Sequence, residues 1–269
     1  MHDVFGLAAA ACYILAAALL YRNLLGRQVK VSRAPAVIAA AGVVCHAVAQ
    51  AQHWFLYTPL QVSFLNVMSL CALIMVVLLL LAAVTPNRLF AAGLIALPMA
   101  GVLLLAEWLV PAPGNILANV SPTIGLHVVS SVMAFSFLGL AAIYAVFVAI
   151  SDHFLRSHHF NRFVRALPAL DVLETLLFTL INLGFILLSI SLLTGVLFIS
   201  DMFAQHLAHK TVLSFMAWVV FGVLLWGRRF RGWRGRTAVR FTLAGIIILT
   251  LAYFGSKFIL EMLLHQSWG

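Results

Sequence analysis

Charge is what this sequence has least of. Only 9% of its 269 residues are Asp, Glu, Lys or Arg, against about 25% in a soluble globular domain, and 64% are hydrophobic. A soluble fold is excluded, and the chain reads as an all-α integral membrane protein. Cysteine is scarce as well. Cys12, Cys45 and Cys71 each fall inside an apolar stretch and none forms a CxxC pair. That excludes a disulfide framework and a zinc–thiolate site, and leaves three small buried hydrophobes. A Walker A loop, a GxSxG elbow and an HExxH helix are all missing. So is the inverted repeat that many transporters carry. The first residues, MHDVFGLAAA, lack the basic flank of a signal peptide, so the first apolar stretch is expected to be a permanent span.

What is present is a series of apolar runs. A span needs about 20 mostly apolar residues, and eight stretches qualify: 4–21, 35–56, 62–84, 89–110, 123–150, 172–199, 211–227 and 239–264. Polar or Pro/Gly-rich gaps such as TPNR (85–88), PAPGN (111–115) and RRFRGWRGR (228–236) separate them. The basic residues orient the bundle. Arg22, Arg27, Lys30 and Arg33 follow span 1, and Arg88 follows span 3. Arg156, Arg162 and Arg165 follow span 5. Arg228, Arg229, Arg231, Arg234, Arg236 and Arg240 lie at or beside the gap after span 7. With eight spans these all share one side, which the positive-inside rule makes cytoplasmic, and both termini fall outside. The net charge of +9 is therefore a membrane signal, with no nucleic acid implied. RRFRGWRGR reads as a membrane-surface anchor with Trp226 and Trp233 at the interface. SDHFLRSHHFNR (151–162), which holds His153, His158 and His159, reads as a solvated cytoplasmic loop.

Ionisable residues inside spans are costly and point to function. Here they are His46, His53, Glu107, His127, Lys257 and Glu261. Predicted span 5 runs inward from the outer face, with His127 roughly 6 Å below its start at about 1.5 Å per residue. Ser130, Ser131 and Ala134 follow at helical spacing, so the face beneath His127 is small and open to a flat ligand. His209 immediately precedes span 7, in the outer gap AQHLAHK (204–210) that also holds His206 and Lys210. His127 and His209 are expected to face each other across an outer-leaflet site. Two imidazoles on opposite sides of an iron make a b-type haem site. With no CxxCH in the chain, such a haem is held non-covalently. Lys210 and Lys257, the two outer-side basic residues, are the expected partners of its propionates, and Ser131 lies beneath. For Lys257 a helix pair with Glu261, four residues on, competes with that role. His46, near the middle of span 2 with His53 above it, is the alternative second ligand, and hydrogen bonding between helices is the plain alternative for it. Zinc held by His206 and His209 with Asp201 and Glu107 is a further reading of the same polar gap.

Three segments then resemble a known group. They are GLHVVSSVMAFSFLGLAAIYA (125–145), LGFILLSISLLTGVLF (183–198) and HKTVLSFMAWVVFGVLLWGRRFRGWRGR (209–236), followed by LAYFGSKF (251–258). Together they resemble the cytochrome c assembly protein superfamily, the CcsA/CcmC-like membrane proteins that handle haem, over about residues 118–262. The inner-membrane YpjD/HemX-like branch, also of eight spans, is the most similar. VCHAVA and LNVMSL within 41–81 match that branch more loosely. The resemblance implies that His127 occupies a haem-binding position at the outer start of its span. The superfamily's synthases carry a tryptophan-rich external segment ending in WDPK. Here SDMFAQHLAHK stands in its place, with Lys210 where that lysine falls. Trp226 stands where the synthases have a histidine at the inner end of the following span. AYFGS (252–256) replaces their last external histidine motif. The resemblance thus implies haem handling without synthase activity.

The expectation is a single multi-pass domain over 1–269 in the bacterial inner membrane, with four spans in 1–117 and an assembly-like core in 118–269. It would bind haem near the outer leaflet through His127 and His209, with His46, Lys210, Lys257 and Ser131 as further site residues. Its partners would be haem, the lipid bilayer and another membrane or periplasmic protein. The competing expectations are an accessory or regulatory subunit that binds no haem, and a transporter of haem or a divalent ion along His46 and His53.

Overall fold

The computed structural model describes residues 2–25, 33–52, 60–83, 89–110, 115–117, 122–157, 167–198 and 205–255. In chain order they form α1 (His2–Leu25), α2 (Ala34–Ala51), β1 (Leu60–Val62), α3 (Phe64–Ala83), α4 (Gly93–Leu109), β2 (Asn115–Leu117), α5 (Pro122–Arg156), α6 (Leu170–Phe198), α7 (Gln205–Arg231) and α8 (Gly235–Thr250). A 3₁₀ turn over Leu89–Ala92 leads into α4, and a π-helical turn over Leu251–Gly255 ends α8. Eight helices among the described residues are long and apolar enough to cross a membrane. Their centres fall on the eight predicted spans. To the expected helices the structure adds one short ladder, in which β1 pairs with β2.

The helices overrun the apolar runs where basic residues begin. Predicted span 5 stops at 150, whereas α5 continues to Arg156. Predicted span 7 covers 211–227, whereas α7 runs from Gln205 to Arg231. Backbone hydrogen bonding does not stop at the hydrocarbon boundary, and long Arg side chains reach the interface from a helix that has already left it.

The chain divides into two compact units: Met1–Ile116 with Ile150–Leu173, and Leu117–Ala149 with Glu174–Gly269. In the first, α1 packs on α2 and α4, while α3 packs on α2 and α4. Helices gain little hydrophobic energy by leaving lipid for one another, so they associate where small side chains let backbones approach. Accordingly Ala9, Ala10, Ala16, Ala39, Ala72 and Ala100 line this core beside Tyr13, Val76, Leu97 and Leu104. Gly42 belongs to the same logic, since a Cβ there would stand 2.8 Å from the Tyr13 ring.

The second unit uses glycine in the same way. A Cβ on Gly184 of α6 would lie 2.6 Å from the Leu138 side chain of α5, and one on Gly245 of α8 would lie 2.6 Å from the Phe221 ring of α7. The turn from α7 to α8 is built by two left-handed glycines, Gly232 (φ 65°) and Gly235 (φ 53°), a conformation that costs glycine nothing. Between them the Trp233 N–H donates back to the Gly227 carbonyl at 3.2 Å, and the indole lies directly on Gly227. Glu174, buried at the start of α6, accepts the Gly235 N–H at 2.9 Å and the Arg234 Nε–H at 2.8 Å. It thereby satisfies a donor at the α8 N-terminus with a negative charge.

Candidate functional site

His127 sits in the second turn of α5, half-buried. Its Nδ1 lies 2.8 Å from the Ser191 carbonyl oxygen of α6. A carbonyl only accepts, so Nδ1 carries the proton and donates. In the neutral ring Nε2 then holds the lone pair. Among the described residues Nε2 has no hydrogen-bond partner. The same carbonyl accepts from the Thr194 hydroxyl at 3.0 Å, which ties Ser191 and Thr194 into one support for the ring. Metal-binding histidines are held in this way, with the distal N–H on a carbonyl or carboxylate that fixes the ring and its tautomer. The side chains around His127 are apolar and open. Leu126 is 52% exposed and Val129 62%.

The small face beneath His127 is closed. Ser130, Ser131 and Ala134 are all buried. The Ser131 hydroxyl donates to the His127 carbonyl at 2.6 Å and lies 2.6 Å from the Ser191 hydroxyl. The surface that the sequence left open for a flat ligand is taken by the α5–α6 seam, and the small residues there serve helix–helix approach.

His46 is fully buried in the first unit, and both of its ring nitrogens have partners. Nδ1 lies 3.2 Å from the Tyr13 hydroxyl of α1, and Nε2 lies 2.9 Å from the Ser69 hydroxyl of α3. One turn further along α2, Gln50 Nε2 donates to the Asn66 carbonyl at 3.2 Å, and Asn66 Nδ2 donates to Glu107 Oε1 of α4 at 3.3 Å. Among the described residues, His46 and Glu107 are thus each held by interhelical hydrogen bonds. Gln50 Oε1 is buried with no partner among the described residues.

Lys210 is half-buried in the second turn of α7. His206 and His209, which the sequence placed in the gap before span 7, fall within that helix three residues apart. Their side chains lie outside the described residues, so the expected pairing of His127 with His209 does too. His53, Lys257, Glu261 and Asp201 also lie outside. Among the described residues no three His, Cys, Asp or Glu side chains gather into a metal-binding group.

Sequence reasoning missed the partners of both histidines. Ser191 and Thr194 are polar positions three apart in the otherwise apolar ISLLTG, and that spacing was the available signal. Trp218 also went unremarked. Its indole N–H donates to the Ser189 hydroxyl at 2.8 Å, and its ring stacks with Phe185 and with Phe215, each at 5.5 Å between centroids.

Comparison with known proteins accords with this architecture. The family model of the cytochrome c assembly protein matches residues 34–264. The inner membrane protein YpjD of Escherichia coli K12 is 32% identical over 266 residues, which is 97% of this chain and 99% of that protein. The cytochrome c biogenesis protein CcsA is 26% identical in Gloeobacter violaceus and 29% in Prochlorococcus marinus. Each of those matches covers 100 residues, 36% of this chain and 30% or 32% of the relative. No solved structure matches the chain. Eight membrane-length helices and full-length similarity to an inner membrane protein place this chain in the bacterial inner membrane, and by its sequence from 34 to 264 it belongs to the cytochrome c assembly protein family.

Proposed function

We propose that the protein binds haem non-covalently near the outer leaflet and handles it for cytochrome c assembly, with His127 Nε2 as one axial ligand and His209 as the other. The observation that carries this reading is the Nδ1–H···O=C bond from His127 to Ser191 at 2.8 Å. That bond spends the protonated nitrogen on the protein and leaves a lone pair on Nε2, the donor that a haem iron takes. Haem would supply an iron with two axial positions and a pair of propionates, and Lys210 and Lys257 are the cations assigned to those propionates. His46 is the weaker choice for second ligand, because Tyr13 and Ser69 engage both of its nitrogens. The same engagement weakens the transport reading through His46. In this arrangement both termini and the His127 end of α5 lie outside, with the arginine-rich turns in the cytoplasm.

The test is a visible spectrum. The full chain is purified in mild detergent from cells supplied with haem, alongside His127→Ala, His209→Ala and His46→Ala. A sharp Soret band with split α and β bands on reduction is expected in the wild type and in His46→Ala, and lost in the other two. A wild type that is colourless and cannot take up added haem would overturn the proposal and leave an accessory subunit that keeps the family fold without the cofactor.

A further inference from the structure

The turn between α7 and α8 is dense in positive charge. Residues 226–240 hold six arginines and no acid, and no Asp or Glu occurs anywhere from 202 to 260. Glu174 reaches the turn from α6, and it is spent on Arg234 and the Gly235 N–H. Arg228 is spent internally as well. Its guanidinium lies 4.5 Å above the Phe178 ring and donates to the Trp233 carbonyl at 3.4 Å. Arg229, Arg231 and Arg240 remain exposed. Arg231 rests over the Trp226 ring at 5.1 Å, while Arg229 and Arg240 make no hydrogen bond or ion pair among the described residues. The C-terminus of α7 tolerates cations, but the first turns of α8 disfavour them through the helix dipole. Arg240 stands there, in the second turn. Among the described residues, Arg229 and Arg240 have no fixed anion beside them.

The apolar side chains beside these arginines say what kind of anion fits there. Phe230, between Arg229 and Arg231, is 71% exposed, and Trp226 is 49% exposed. A soluble anion would leave both rings in water. A lipid covers them, since aromatic rings settle at the headgroup level while guanidinium groups reach phosphate. The two left-handed glycines, the Glu174 cap and the seating of Trp233 on Gly227 hold the turn in one shape, so the arginines are presented with little left to order.

We infer that the α7–α8 turn is a binding site for the phosphate headgroup of an anionic phospholipid, held by Arg229, Arg231 and Arg240 with Trp226 and Phe230 against the acyl chains. The site lies apart from His127 and does not depend on haem.

The test uses the full chain in detergent micelles, titrated with phosphatidylglycerol or phosphatidylcholine and read by native mass spectrometry. The wild type is expected to bind phosphatidylglycerol about tenfold or more tightly than phosphatidylcholine at low salt, since each cation near an anionic surface strengthens binding severalfold. The triple variant Arg229→Gln, Arg231→Gln, Arg240→Gln should fall to within about twofold of the neutral lipid. The corresponding triple lysine variant should keep most of the preference, which separates charge from folding. Equal binding of the two lipids by the wild type, or an undiminished preference in the glutamine variant, overturns the inference. So does displacement of bound phosphatidylglycerol by inorganic phosphate when chloride at equal ionic strength leaves it in place, because the occupant would then be a free anion.

Discussion

His46 and His127 look alike in the sequence, each a lone histidine inside an apolar run, and they differ in what the second ring nitrogen does. In His46 both nitrogens are engaged. In His127 one is engaged and the other has no hydrogen-bond partner among the described residues. No local pattern separates them, because the deciding partners are remote: Tyr13 lies 33 residues before His46, and Ser191 lies 64 after His127. The sequence could name the histidines from the cost of placing them in hydrocarbon, but it could not say which was structural. The difference predicts opposite phenotypes. His46→Ala leaves the Tyr13 and Ser69 hydroxyls buried without a partner and opens a cavity, together costing about 2–4 kcal/mol. Its thermal unfolding midpoint in detergent should drop while the haem spectrum per folded molecule persists. A His46→Ala protein as stable as the wild type but colourless would make His46 a ligand instead.

At the scale of elements, hydropathy located every span, since runs of about 20 apolar residues have few alternatives. It placed the ends less well. Charge ends a hydropathy window but does not end a helix, so α5 and α7 extend past their apolar runs to Arg156 and Arg231. The β1–β2 ladder was invisible, because three-residue strands carry no usable period. Helix contacts were also hidden, as one letter, G, stands for different packing. Gly222 and Gly227 lie five residues apart on α7. A Cβ at Gly222 would meet Phe185 at an ordinary 3.5 Å, while one at Gly227 would enter the Trp233 indole. The same substitution should therefore have opposite signs. Gly222→Ala gains up to about 1 kcal/mol from helix propensity. Gly227→Ala loses about 1–3 kcal/mol to overpacking, and it dislodges Trp233. Thermal unfolding of the two variants, with tryptophan emission as a second readout, checks both. Destabilisation of equal size would mean that Trp233 is not seated where the turn places it.

The whole molecule is governed by parity. Arg22, Arg27, Lys30, Arg33, Arg88, Arg156, Arg162, Arg165 and the six arginines around the α7–α8 turn all lie at or after odd-numbered spans. Two spans separate each of these segments from the next, so all of them come to one face, and losing a span between them would scatter them over both. Lys/Arg bias in short loops is the main determinant of insertion, so the face they share is expected to be cytoplasmic. The His127 end of α5 then opens on the other side, where an outer-leaflet haem site requires it. Reporter fusions read this directly. Alkaline phosphatase fused after Gly269 or within 111–114 should be active, and green fluorescent protein at those points dark. Within 158–166 or after Arg33 the pattern should invert. Fluorescence at the C-terminus together with phosphatase activity at 158–166 would turn the bundle over and move His127 to the cytoplasmic leaflet. The outer-leaflet assignment would then fail even if haem were bound, since the ligand would lie on the wrong side of the membrane for delivery outward.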